Sequence, residues 1–389
     1  MFDPNLVDLT VLRKRAYNLR WATVPEGVIP LTAADPDTPC APEIADAIAR
    51  FARDRYFSYG PSEGMADFRE SLACFYQTKR RIPALPSWIF AVDSAAYGIY
   101  LTSKAFLSPG DEALLFDPVD FLFRYSIEAA GGIPVPFALP ADAGGLDIRR
   151  MEELISDKTK LICLCNPLNP TGKVFTADEL ALIGELACKH DLTILSDEIW
   201  SDIVYPPHVY TSIASLNEAV RERTVTVTGF SKSYGLAGLR IGAVMASDRR
   251  RYQSLFDASL HSSTVHGTNV IAQVAATTAL RECDGWLKEF VRHLEAMRDL
   301  CVDGLNRIEG FRCLAPQGCY VAFANIKATG LSSREMQELL FAKARVAVVP
   351  GLPEWFGEGA DGYIRLSFAT NRAILTDALD RINHTIQQL

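Results

Sequence analysis

The sequence predicts an α/β protein with a mostly parallel sheet, followed by a smaller α+β region. Two observations carry this. Strand-like and helix-like runs alternate from about residue 88 to 246, which implies parallel strands covered on both faces. After a long helical pattern from Asn269 to about Leu305 the character changes, and shorter strands are mixed with helices. The chain has 389 residues, enough for a large core and two domains. The division expected is 46–280 for the large domain, with 1–45 and 281–389 forming the small domain and an N-terminal arm.

The elements follow in order. The segment Leu6–Ala34 precedes the first long helix and is expected to join the small domain or reach a partner subunit. Strand-like runs are Trp88–Val92, Glu112–Asp117, Ile133–Leu139, Lys160–Cys165, Thr193–Asp197, Thr224–Gly229 and Ile241–Ala246. The clearest helix between them is Thr176–His190. Thr176 and Glu179 form a capping box, and Leu180, Ile183 and Ala187 share one face. Later strands are read at Cys319–Ile326, Ala347–Val349 and Tyr363–Phe368, with helices at Ser333–Ala344 and Ile374–Gln388. No repeat of 20–50 residues is evident.

Composition narrows the function classes. Hydrophobic residues make up 49% and charged residues 22%, as in a globular protein. The net charge is -8 and no basic stripe occurs, which argues against nucleic acid as a partner. No apolar run reaches the roughly 20 residues of a membrane helix, and no signal peptide is read near Met1. The nine cysteines include Cys163 and Cys165, one residue apart in a strand but without zinc-site spacing. They read as reduced core residues of a cytoplasmic protein, and no metal site is expected.

Several motifs carry chemistry. In Gly229-Phe230-Ser231-Lys232-Ser233-Tyr234-Gly235-Leu236-Ala237-Gly238-Leu239-Arg240-Ile241-Gly242, a lone lysine follows a β-branched strand. The carboxyl ends of sheet strands are where α/β folds place ligands. Desolvation and cationic neighbours can lower the pKa of an amine there, so that it attacks a carbonyl to form a Schiff base. Asn166-Pro167-Leu168-Asn169-Pro170-Thr171-Gly172 reads as a turn after a strand. Gly172-Lys173 lacks the rest of a phosphate loop. In Ser196-Asp197-Glu198-Ile199-Trp200, Asp197 ends an apolar strand, where a buried carboxylate needs a cation or donors. In Val92-Asp93-Ser94-Ala95-Ala96, small residues open a helix and leave backbone N–H groups free for an anion. In Gly362-Tyr363-Ile364-Arg365-Leu366-Ser367-Phe368-Ala369, an arginine interrupts an apolar strand. Taken singly, these also fit a surface lysine, an ordinary turn, a helix-capping aspartate, an empty turn and a salt-bridged arginine.

Together and in this order, from about Ile29 to Thr370, they resemble the fold-type I pyridoxal 5'-phosphate (PLP) enzymes, class I/II aminotransferase branch. The resemblance implies a PLP-dependent transferase fold, its large domain built on a mostly parallel seven-stranded sheet beside a smaller α+β domain. Lys232 would carry the cofactor as a Schiff base and move the substrate's Cα proton. Asp197 would pair with the pyridinium nitrogen, keeping the ring an electron sink. Asn169 would meet the phenolic oxygen. Ser94, Ala95, Ala96, Ser231 and Arg240 would hold the phosphate. Phe121 and Trp200 would flank the ring, and Tyr59, in Phe57-Ser58-Tyr59-Gly60-Pro61, would reach the phosphate of a neighbouring subunit in a homodimer. Arg365, with Asn169 and Ala34, would bind the substrate, its planar fork suiting an α-carboxylate. The reaction implied passes an amino group between an α-amino acid and a 2-keto acid.

Two positions depart from the family pattern. After Pro118, where relatives carry a ring that stacks on the cofactor, this chain has Asp120, followed by Phe121 and Leu122-Phe123. An aspartate cannot stack, so Phe121 or Phe123 is expected to take that place. Three residues after Asp197 stands Trp200, where relatives have tyrosine or, in the cystathionine β-lyase-like branch, histidine. Trp21–Asp37 and Asp197–Leu216 look as much like that branch, which makes a C–S β-lyase the alternative to a transaminase. Both reactions share the first carbanion. A transcription regulator carrying this domain is disfavoured by the acidic charge and by only about 30 residues ahead of the core. A nicotinamide dehydrogenase is disfavoured because no Gly-x-Gly-x-x-Gly follows an early strand. The amino acid substrate is not legible.

Overall fold

The computed structural model describes residues 2–139 and 146–389. Its strands are β1 (Ile29–Pro30), β2 (Ile89–Val92), β3 (Glu112–Asp117), β4 (Ile133–Ala138), β5 (Thr159–Cys165), β6 (Thr193–Asp197), β7 (Thr224–Gly229), β8 (Gly242–Met245), β9 (Arg312–Cys313), β10 (Val321–Asn325), β11 (Val346–Ala347), β12 (Val349–Pro350) and β13 (Tyr363–Ser367). Strands β2 to β8 form one seven-stranded sheet in the order β2-β8-β7-β6-β5-β3-β4. Only β8 runs against its neighbours. Helices cover the sheet, so its central strands are buried on both faces: Ile162, Leu164, Ile194, Leu195, Val225 and Val227 are fully buried.

Each of the seven expected strands is present, three with the expected ends and four with ends moved by one residue. Trp88 closes a short 3-10 turn, and β8 begins at Gly242 because Ile241 still belongs to the preceding loop. The helix Ala177–Lys189 starts from the expected capping box of Thr176 and Glu179. The long pattern from Asn269 is two helices, Val270–Glu282 and Asp284–Asn306. They meet at Cys283, whose backbone leaves helical geometry at φ -106°, ψ 15°.

The C-terminal strands form a four-stranded antiparallel sheet in the order β12-β13-β10-β9. The N-terminal segment joins this part of the chain: β1 pairs with β11 in parallel, and Leu31 accepts the Ser367 N–H at 2.8 Å. The expected strand Ala347–Val349 is divided between β11 and β12, with Val348 between them. All nine cysteines are free thiols, and Cys163 and Cys165 are buried as expected. Among the described residues no helix is long and apolar enough to cross a membrane, and no group of side chains could hold a metal ion.

Candidate active site

Parallel strands bring their carboxyl ends to one edge of the sheet. That edge here carries the turns after β2, β3, β5, β6 and β7, with the start of the reversed β8. Register aligns Cys165 with Asp197, Asp197 with Val227, and Gly229 with Gly242. The motifs at this edge, scattered from Val92 to Gly242, thereby meet, and β13 brings Arg365 to them from the smaller sheet. They line a cavity of about 400 Å³ that receives Ala34, Ser94, Ala95, Ala96, Asn169, Asp197, Trp200, Ser231, Lys232, Arg240 and Arg365, with Phe121 and Phe123 on one wall.

Asp197 lies at the floor. It is 5% exposed, and its Oδ1 accepts the Ile199 N–H at 3.1 Å. Its Oδ2 has only the Cys165 sulfur at 4.0 Å. Among the described residues no cation pairs with it, and burial pushes its pKa up to about 7. This is a carboxylate set among groups that do not satisfy its charge.

Ser94 caps the helix Ala95–Phe106, accepting the Tyr97 N–H at 3.1 Å. The Ala95 and Ala96 N–H groups, the first two of that helix, have no acceptor among the described residues. Glycines bring this helix end close. A Cβ on Gly98 would lie 2.6 Å from Val227, and one on Gly242 would lie 2.7 Å from the Thr228 carbonyl and 2.9 Å from the Ala95 nitrogen. Ser231 and Arg240 border the same end. Arg240 has a left-handed backbone (φ 55°) and no carboxylate partner among the described residues. Free helix N–H groups beside an unpaired arginine make an anion cradle.

Lys232 follows β7 by three residues. Its Nζ donates to the Ala34 carbonyl at 2.6 Å and lies 5.3 Å from the centre of the Trp200 ring. The Tyr320 hydroxyl donates to the same carbonyl at 3.1 Å. The segment that carries Ala34 is tied on either side by a buried network. Arg20 donates to the Pro30 carbonyl at 2.8 Å and to Asp37 at 2.5 Å, and the Trp21 indole donates to Asp37 at 2.7 Å. Burial, followed by the Arg365 charge, lowers the Lys232 pKa, against the opposing charge of Asp35. A less basic amine is a better nucleophile at neutral pH.

Arg365, at the middle of β13, is 7% exposed. It donates to Asn169 Oδ1 at 3.0 Å and to the Thr32 carbonyl at 3.1 Å, both neutral acceptors. Its Nε has no partner among the described residues. Among the described residues it is a buried cation with no anion in ion-pair contact, the reverse of Asp197.

Asp120 takes a place that the sequence reading did not give it. It caps the helix Phe121–Ala129 and accepts the Asn169 amide at 2.7 Å. Phe121 lies edge-on to Trp355 at 5.5 Å, and Phe123 is buried. Trp200 is buried against Tyr320, their ring centres 4.7 Å apart. Tyr59 stands outside the cavity, 90% exposed, beside His266. Thr32, Asp35 and Tyr320 were not singled out in the sequence. Thr32 meets Arg365 and Tyr320 meets Ala34 across 333 and 286 positions, Asp35 acts on Lys232 through its charge, and no local pattern marks any of them.

Three unmet demands converge here: a buried anion, a buried cation and an anion cradle, around one lysine. PLP carries a ring nitrogen, a phosphate and a carbonyl, and so fits the residues present. Among curated proteins, the chain is 32% identical over 366 residues to the aspartate aminotransferase of Pyrococcus abyssi, covering 93% of this chain and 92% of that one. It is 33% identical over 368 residues to aromatic-amino-acid aminotransferase 2 of Thermococcus litoralis, with the same coverage. Among solved structures, a PLP-bound Clostridium difficile 630 protein superposes with a TM-score of 0.91 at 26% identity, covering 99% of this chain and 100% of that one. The model of the aminotransferase class I and II family matches residues 26–382, and the chain belongs to that family.

Proposed function

We propose that this protein is a PLP-dependent aminotransferase that moves an amino group between an α-amino acid and a 2-keto acid, with Lys232 as its catalytic residue. The observation that supports this most is the placement of Lys232 between an unpaired buried carboxylate and an unpaired buried guanidinium. PLP, bound to Lys232 as a Schiff base, supplies an electrophile for the amine and an electron sink for the Cα carbanion. Asp197 answers the ring nitrogen, and Asn169 the phenolic oxygen. Ser94, Ala95, Ala96, Ser231 and Arg240 hold the phosphate, with Phe121 and Trp200 beside the ring. Arg365 binds the α-carboxylate near Asn169 and Ala34. That contact would aim the Cα–H at the Lys232 amine, which, once the substrate's amine has displaced it, would take the proton from Cα and return it at C4′ of the cofactor.

The exposure of Tyr59 supports a homodimer in which it reaches the partner's phosphate site, and sedimentation at assay concentration tests this. The nine free thiols support a reducing, cytoplasmic setting, which cell fractionation tests.

The test of function has two steps. Borohydride reduction of the PLP-loaded protein and peptide mapping should place the label on Lys232. A panel of amino acids should then convert the cofactor spectrum to that of pyridoxamine phosphate. A label on another lysine refutes the assignment of Lys232. Pyruvate and ammonia released without a keto-acid acceptor would mark elimination instead of transamination.

A further inference from the structure

Where relatives place a ring, this chain has Asp120, and its contacts show a different task. We propose that Asp120 is a positioning residue that fixes the amide of Asn169, and through it the guanidinium of Arg365. This rests on the roles assigned to Lys232 and Arg365 above.

The geometry is a bracket. Asp120 Oδ1 accepts the Leu122 N–H at 3.2 Å, which anchors the carboxylate at the start of its helix. Asp120 Oδ2 accepts from Asn169 Nδ2 at 2.7 Å, and Asn169 Oδ1 accepts from Arg365 Nη1 at 3.0 Å. The two backbones are tied as well, the Asp120 N–H donating to the Asn169 carbonyl at 3.1 Å. An arginine offers only donors and an ionised carboxylate only acceptors. An amide held between them makes both bonds in one orientation and neither in the other. Burial raises the Asp120 pKa, while the nearby Arg365 charge opposes that and favours the ionised form, the one that can only accept. One N–H of Asn169 Nδ2 is thereby engaged, and the other remains for the cavity that Asn169 lines. A ring at position 120 offers no acceptor and could not hold the amide this way.

The test separates this task from helix capping. Asp120→Ser keeps a good cap but does not extend to Asn169. Asp120→Thr does the same and serves if the serine variant folds poorly. Wild type, Asp120→Ser, Asn169→Ala and the double variant are titrated with PLP, and the loaded proteins with L-alanine, following cofactor absorbance. Asp120→Ser should weaken PLP or L-alanine binding on the order of tenfold and shift the cofactor absorbance band. The same change in the Asn169→Ala background should add less than about twofold, because its target is already gone. Losses that multiply in the double variant, or wild-type binding by Asp120→Ser, would overturn the proposal. Failure of PLP to attach to Lys232 would overturn the proposed function, whereas attachment with multiplying losses would overturn only the role of Asp120.

Discussion

Replacing Asp197 by asparagine tests stability and chemistry through one side chain. In the PLP-free protein Asp197 is buried without a cation, and its pKa rises from its ordinary 3.8 to about 7. Between those values the folded protein holds a proton that the unfolded chain has released. Stability therefore falls as pH rises through this window, by about 4 kcal/mol in all at 1.36 kcal/mol per unit. From pH 5.5 to 8, the part attributable to Asp197 is about 2 kcal/mol. Asparagine has no charge to desolvate. Urea unfolding of the PLP-free proteins, at equal protein concentration, should show wild type losing about 2 kcal/mol more than Asp197→Asn across that range. Comparing the two proteins isolates this residue, since Asp35, Asp117 and Glu198 also have raised pKa values. A cationic ring nitrogen beside Asp197 stabilises its charged form. The loaded variant, which keeps the lysine and the anion cradle, should still bind PLP but turn over on the order of 10³-fold more slowly, about 4 kcal/mol of barrier. Parallel pH profiles would refute the electrostatic argument. Near wild-type turnover would refute the role assigned to Asp197.

Arg365→Lys keeps the charge but not the fork, so half-saturation by α-amino acids should rise at least tenfold while unbranched amines without a carboxylate change little; steady-state kinetics on both decides, and equal losses would make Arg365 structural. Gly242→Ala sets a Cβ against the Thr228 carbonyl and the Ala95 nitrogen, both backbone. It should destabilise the fold by about 1–3 kcal/mol and weaken PLP, read by urea unfolding and cofactor titration, and unchanged values would mean the helix end has room to move.

The sheet was legible because its central strands are buried on both faces. Thr224–Val227 and Ile194–Leu195 stand out as β-branched or apolar runs that no surface strand would carry. Legible strands also made the site legible, since every motif but that of Arg365 sits in a turn at a strand's carboxyl end of the large sheet, and the pairing gathers those turns. The breaks were not legible. Helical period continues on both sides of Cys283, so a single residue with non-helical dihedrals leaves no trace in the pattern. The contact between Asp120 and Asn169 was hidden differently. It joins turns 49 residues apart, and Arg365 is 196 residues beyond Asn169. In the sequence Asp120 showed only as the loss of a ring, and its partners follow from the adjacency of β3 and β5 in the sheet and from the Arg365 that β13 brings to Asn169. The plain and functional readings of Asp197 are also compatible. It makes the local bond to the Ile199 N–H that a strand-ending aspartate favours, and that bond uses one oxygen. Its other oxygen has only a thiol within reach, so local structure orients the carboxylate while leaving its charge for a ligand to satisfy.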